Sequence, residues 1–311
     1  MSNEKWPALP FAEWRDTAKT LHMWTQIVGK IRMVQSPWLN HSWSVTLYVT
    51  PRGMTTGTVP HGDLTFSIDF DFIDHALLVR TCEGQVESLP LKAQDTADFY
   101  TNLMSTLDSL GIPVTISASP NEIEDPIPFA EDRVHNAYDP EAANRFWLAL
   151  YQVDRVFKHF RAEFSGKASP SHFFWGSFDL AVTRFSGREA PDHPGGLPNM
   201  PLWVAQEAYS HEVSSAGFWP GGDAFPEPIF YSYAYPTPDG FSEAKVGPEG
   251  ATWVGDLGEF VLPYEVVRKA DSPDDALLEF LRSTFDAAAT LGAWDLAAHR
   301  RRHFPGKPEA A

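Results

Sequence analysis

Three histidines and a glutamate, His22, His172, His211 and Glu212, each stand beside a tryptophan or at the junction of two elements. Three imidazoles and one carboxylate suffice to hold zinc or a non-haem iron. The same groups serve general acid–base chemistry where burial tunes their proton affinity toward neutrality. The spacing favours the second use. No His-Glu-x-x-His, Cys-x-x-Cys or Gly-x-Ser-x-Gly occurs, and Gly187 and the Gly195–Gly196 pair lack the strand–glycine–helix setting of a phosphate loop. We therefore expect no metal and assign no cofactor. His211 is the acid–base candidate, with Glu212 orienting it. The competing reading is that each histidine donates to a backbone carbonyl and fixes a turn.

His211 and Glu212 open the stretch Ser210-His211-Glu212-Val213-Ser214-Ser215-Ala216-Gly217-Phe218-Trp219-Pro220-Gly221-Gly222. Ser and Gly contribute little packing, so such a stretch is shaped around something other than the core. Neighbours on an extended strand point to opposite faces, so both residues enter one pocket only if the backbone is irregular there. Gly217 and the serines are expected to supply that irregularity.

The elements that must position these groups read as follows. Trp14, Ala18, Leu21, Trp24, Val28 and Ile31 recur at helical spacing over 13–33, and His22, Gln26 and Lys30 form a second, polar line on that helix. Strands are expected over 43–50, 65–72, 76–81 and 113–116, with Phe66, Ile68, Phe70 and Phe72 on one face of the second. A helix over 95–110 stops at Gly111, and Asp139-Pro140-Glu141 starts another that runs to about Phe164. Then come a strand over 171–186, a helix over 202–209, a strand over 229–235 carrying Tyr231, Tyr233 and Tyr235, and a strand over 259–268 broken by Pro263. Ser272-Pro273-Asp274-Asp275 opens the last helix as a capping box, and Gly292 ends it. Asp69, Asp71, Asp74 and His75 lack the spacing of a calcium loop and read as a solvated outer face.

The fold class that follows is α+β, two antiparallel-sheet halves each flanked by helices. Residues 1–118 form the first half, 119–139 a Pro- and acid-rich linker, 140–295 the second half and 296–311 a tail. Both halves run helix, meander, helix. Asp98-Phe99 and Leu110-Gly111 recur at one common offset as Glu279-Phe280 and Leu291-Gly292, which suggests a pseudo-twofold internal duplication.

Composition narrows the partners. A formal charge of −17 over 311 residues repels polyanions, and the basic run Arg300–Arg302 reads as a solvated helix end, so nucleic acid is not expected. No secretory h-region and no span of about 18 apolar residues is present, and the single cysteine, Cys82, permits no internal disulfide. A cytoplasmic protein that neither crosses nor binds a membrane is the expectation; the oligomeric state is left open. Eleven Trp and 22 Phe are large, rigid groups that fill cores and line ligand pockets; most of them must be core, and composition alone does not separate the remainder.

Four stretches carry a family resemblance: Leu21–Lys30, Leu47–Gly53, His172–Asp179 and Ser210–Gly222. Together they resemble a bacterial family catalogued as domain of unknown function 5996, over nearly the whole chain. The resemblance implies a single full-length unit and brings no mechanism. Two readings stay open. In the first, the chain is a small-molecule enzyme or ligand-binding protein with a pocket between the halves, lined by Trp24, Trp175, Trp219, Tyr231 and Arg184. In the second, it is a non-catalytic interaction module with an exposed aromatic surface.

Overall fold

Helix α1 spans Phe11–Gln35 and is enclosed nearly all round, burying Thr17, Thr20, Thr25, Gln26, Lys30 and Arg32 as well as its apolar residues. The computed structural model describes residues 5–299; the Arg300–Arg302 run lies outside them. The sequence pattern gives α1 an apolar stripe and a polar line, yet both are covered, so the polar line must find partners indoors.

The first half continues with a 3-10 turn at Asn40–Ser42 and strands β1 (Tyr48–Thr50), β2 (Gly53–Thr55), β3 (Val59–His61), β4 (Leu64–Asp71), β5 (Ala76–Thr81) and β6 (Val86–Pro90), closed by helix α2 (Thr96–Ser109). These strands form an antiparallel sheet in the order β1-β2-β4-β5-β6, with β3 paired to β4. The strand expected over 43–50 shrinks to three residues because the chain turns through His41 and Ser42, both at positive φ. The strand expected over 113–116 does not form; that segment is irregular. Asp71 is buried, and Arg52 clamps it together with Asp74 at 2.6 Å each, so the acidic face is not simply solvated.

The second half comprises α3 (Pro140–Ala162), β7 (His172–Phe174), β8 (Asp179–Glu189), α4 (Leu202–Ala208), β9 (His211–Trp219), β10 (Ile229–Tyr235), β11 (Thr252–Val254), β12 (Glu259–Pro263), α5 (Tyr264–Arg268) and α6 (Pro273–Leu291); α7 (Leu296–His299) follows. Its sheet runs β11-β12-β10-β9-β8-β7, antiparallel throughout. Asp139 caps α3 by accepting from the Glu141 and Ala142 amides, and Pro140 fills the first turn. Pro263 does not interrupt a strand; it ends β12 and precedes α5. The capping box at Ser272 does not form either, since Ser272 Oγ donates to Asp275 instead.

The two sheets meet edge to edge. Leu47 and Phe173 exchange both backbone hydrogen bonds at 2.9 Å, so β1 and β7 join at one antiparallel bridge. Each half thus presents helix, meander, helix, with one extra strand inserted in each meander. The apolar face of the second sheet packs on α3 and α6, and a hydrophobic cluster runs from Trp14 and Trp24 of α1 through Phe146 of α3 to Phe280 of α6.

Gly29 in α1 marks how tightly the halves close. A Cβ there would overlap the indole of Trp175, whose Nε1 donates to the Val45 carbonyl at 2.7 Å and so cannot swing away. Gly29→Ala gains about 1 kcal/mol of helix propensity but meets an overpacking penalty of about 1–3 kcal/mol. We expect a net loss of stability by urea unfolding. A variant as stable as wild type would mean that this contact is loose.

Candidate functional site

Alternation along the strands sorts the second sheet into two faces. One carries Leu180, Val182, Phe218 and Phe230 toward the helices. The other presents Asp179 and Thr183 of β8, His211, Ser215 and Gly217 of β9, Tyr231 and Tyr233 of β10, and Glu259 of β12, a polar set that packing alone does not select. Helix α4, the loop around the 3-10 turn and the segment 190–201 lie against this face. His193 stacks on Tyr209 with ring centres 4.4 Å apart, and Tyr235 Oη donates to the Pro191 carbonyl.

Asp179 is the focus of this face. It is 6 % exposed, and the Tyr231 hydroxyl donates to it. Burial, then the neighbouring Glu122 charge, outweigh that hydrogen bond and push the Asp179 carboxyl up to about 7. Glu259 also rises to about 7, from burial and the charge of Asp179. Glu122, which accepts from Ser177 Oγ, is raised by burial. Tyr231 reaches Asp179 by lying across β9, where Gly217 leaves room: a Cβ at 217 would overlap the ring and its hydroxyl. Gly176 does the same for Glu122, whose carboxyl occupies the space a side chain there would fill. Tyr233 and Tyr209 share a hydroxyl–hydroxyl bond of 2.8 Å behind them, and burial pushes Tyr209 up to about 12.

The polar line of α1 borders the same corner. Gln26 pairs with the backbone of Asn121 through two 2.8 Å hydrogen bonds, and His22 Nε2 donates to the Gly176 carbonyl at 2.8 Å. His22 stacks on Phe178, and burial lowers it to about 4, so it is neutral. Lys30, 2 % exposed, donates to Asn121 Oδ1 beside the Trp175 ring; burial lowers it to about 8. Asn121 and Asn199 then tie residues 119–123 to the 190–201 segment, with Asn121 Nδ2 on Asn199 O and Asn199 Nδ2 on Ile123 O. Glu122, Phe178 and Asn199 all adopt positive φ here. Strained backbone of this kind persists only where the surroundings over-determine it, and it clusters at binding and catalytic sites.

The residues singled out by sequence fall in different places. His211, His172, Trp219 and Tyr231 project from the polar face, whereas Glu212 and Arg184 project from the opposite one. Strand β9 is continuous, and the register shift lies in β8 between Phe185 and Glu189, so His211 and Glu212 part company. Glu212 binds Arg188 at 2.6 Å, which in turn donates to the Gly292 and Ala293 carbonyls. His211 lies 6.1 Å, ring to ring, from His41. His41 donates from Nδ1 to the Ala208 carbonyl, leaving Nε2 to accept from Lys167. Arg184 is buried over the Phe160 ring at 3.4 Å; Trp24 is buried flat against Phe99; Trp175 is the wall described above. Among the described residues no three His, Cys, Asp or Glu side chains gather as a metal site, and two surface hollows, around Lys92–Asp98 and around Tyr151–Arg155, contain none of these residues.

Sequence reasoning passed over Asp179, Glu122, Asn121 and Glu259. Asp179 fell within the strand expected over 171–186, and Glu122 sat in an acid-rich linker. The available signal was the run Trp175-Gly176-Ser177-Phe178-Asp179, in which glycine, serine and aspartate interrupt an aromatic strand.

A family model, described as a family of unknown function (DUF5996), matches residues 6–301, and the chain belongs to that family. No curated protein and no solved structure matches it. No helix among the described residues is long and apolar enough to cross a membrane.

The Asp179 carboxyl gives a pH test. Its folded value lies above the ordinary 3.8, so the folded chain alone holds the proton between about 4 and 7. The stability this confers is full below about 4 and is lost as pH rises through about 7. Asn at this position cannot ionise and still accepts from Tyr231. Asp179→Asn should therefore gain on wild type as pH rises from 4 to 8, by about 1.4 kcal/mol per pH unit at the steepest and at most about 4 kcal/mol in all. Unfolding curves at pH 4, 6 and 8 check this; a difference independent of pH would mean Asp179 is ionised across the range.

Proposed function

We propose that the chain is an acid–base enzyme for a small molecule bearing a protonated nitrogen, with Asp179 as the group that gives and takes the proton. One observation carries this reading. Three carboxyls, Asp179, Glu122 and Glu259, share one largely buried, tyrosine-lined face with raised proton affinities and no arginine or lysine paired to them among the described residues. A buried carboxylate needs a counter-charge. An ammonium ligand supplies it and meets the π-faces of Tyr231 and Tyr233 favourably. A carboxyl near 7 is populated in both forms at neutral pH, the condition under which one group serves as acid and base in turn. Tyr231 positions Asp179. Ser177 and Asn199, both exposed, mark the side from which solvent reaches this corner. We place the proton transfer on Asp179 rather than on His211, which faces His41 at the other end of the strand.

A thermal-shift screen at pH 8 checks this, comparing small alkyl and aryl amines with alcohols of matching shape. Wild type should be stabilised by a subset of the amines and not by their alcohols, and Asp179→Asn should lose that response while remaining folded. Amines that stabilise both proteins equally would remove Asp179 from the site.

A second reading rests on a separate surface. Trp203 is 53 % exposed and meets Trp38 edge-on at 5.1 Å, beside exposed Leu39 and Leu202. This patch suits a docking face. Sedimentation of wild type against Trp203→Glu tests the simplest case: concentration-dependent association that the variant abolishes.

A further inference from the structure

The bridge between the two sheets concentrates polar atoms that have no partner. His172 is 1 % exposed, and neither ring nitrogen has a hydrogen-bond partner; the same holds for Arg32 Nε, Thr46 Oγ1 and Arg161 Nε, all buried. Four contacts place most of these groups together. The Leu47–Phe173 pair sets residues 46–48 opposite 172–174. Tyr48 packs edge-on to His172 with ring centres 5.5 Å apart. The Arg32 guanidinium lies 5.0 Å above the Tyr48 ring. Another of its nitrogens donates to the Thr46 carbonyl, which holds the side chain in place.

Buried donors in a native protein are almost always satisfied, so a cluster of orphans calls for a missing partner. The chemistry of the set says which. The Arg32 guanidinium presents N–H donors and permanent positive charge, and its hydrogen-bond partners among the described residues, the Thr46 carbonyl and the Tyr48 hydroxyl, are both neutral. A threonine hydroxyl and an imidazole add further donors. A water molecule could satisfy two or three of these atoms but would leave the charge uncompensated. A metal cation is excluded by the sign of the charge. An oxyanion fits both requirements, since its several oxygens accept from guanidinium in bidentate fashion and from the neighbouring hydroxyl and imidazole.

We propose that the seam between β1 and β7 is a binding site for an oxyanion group, held by Arg32, His172 and Thr46. None of these residues belongs to the Asp179 corner. The site explains why a chain of strongly negative net charge keeps a buried arginine without a carboxylate partner at the joint of its halves, where a bound anion ties the two sheets together.

Calorimetric titration of the full chain at pH 7.5 in chloride buffer tests this with inorganic phosphate, sulfate, acetate and phenyl phosphate as probes. Wild type should bind at least one of them saturably, one per chain. His172→Phe and Arg32→Gln should each weaken that binding tenfold or more, and Arg133→Gln, which removes an arginine paired with Asp95 and Asp98 on the surface, should leave it unchanged. Binding of phosphate without phenyl phosphate identifies a free ion; binding of both identifies the anionic group of a larger molecule. Should His172→Phe fail to fold, Arg32→Gln decides alone. The absence of saturable binding by all four probes, which would leave water as the occupant, overturns the proposal. So does binding that both variants retain in full.

Discussion

Helix α1 is enclosed by both halves over most of its length, and every polar side chain buried on it must therefore be satisfied from within. This requirement organises the molecule. Gln26 and Lys30 draw Asn121 inward, His22 fixes the turn after β7 through Gly176, and Arg32 reaches the start of β1. An unpaired buried amide or ammonium destabilises by several kcal/mol, so residues 119–123 are held against the second sheet rather than left as a free connection. Glu122 arrives beside Asp179 as a consequence. The burial that mainly raises the proton affinities of these carboxyls, and with it the nearness of the Glu122 charge to Asp179, follows from what α1 demands of the segment that crosses it.

Small residues make that closeness possible. Gly29, Gly176 and Gly217 each lack the one atom that would push a neighbouring group away: the Trp175 indole, the Glu122 carboxyl and the Tyr231 hydroxyl. None of the three has positive φ, so they are required for space and not for backbone conformation. Opposed electrostatic demands meet in the same region. Burial holds His22 and His172 neutral, a contribution present above the ordinary 6.5 and lost as pH falls through about 4 and about 3, while burial of Asp179 and Glu259 contributes fully below their ordinary values and is lost as pH rises through about 7. The two tendencies offset one another through the mildly acidic range. A ligand charge that relieves the carboxyls shifts this balance in favour of the folded, occupied form.

Much of the architecture was legible in the residues alone. The alternation of Phe66, Ile68, Phe70 and Phe72, the Asp139-Pro140 start of α3 and the Gly111 and Gly292 stops are local signals, and local signals survive because strand period, cap chemistry and glycine freedom operate within a few residues. The α+β class and the helix–meander–helix order follow from them. The failures are equally physical. Val114 and Ile116 have the composition of a strand but no neighbouring edge to pair with, and Pro263 ends one element to begin another. These outcomes depend on what lies alongside in space.

The candidate site divides the same way. Sequence determined that polar groups are set among aromatics in Leu21–Lys30, His172–Asp179 and Ser210–Gly222, because glycine, serine and histidine at such positions forgo packing. The irregularity expected at Gly217 and the serines does not form, so His211 and Glu212 diverge on a regular strand. Only the tertiary structure decided which of these groups meet. Asp179 and Tyr231 are separated by two strands' worth of chain and come together across Gly217; Glu122 joins them from the far side of α3. Proton affinity is set by burial and by charges a few ångströms away, and neither quantity exists until the sheet, the crossing segment and α1 have closed on one another.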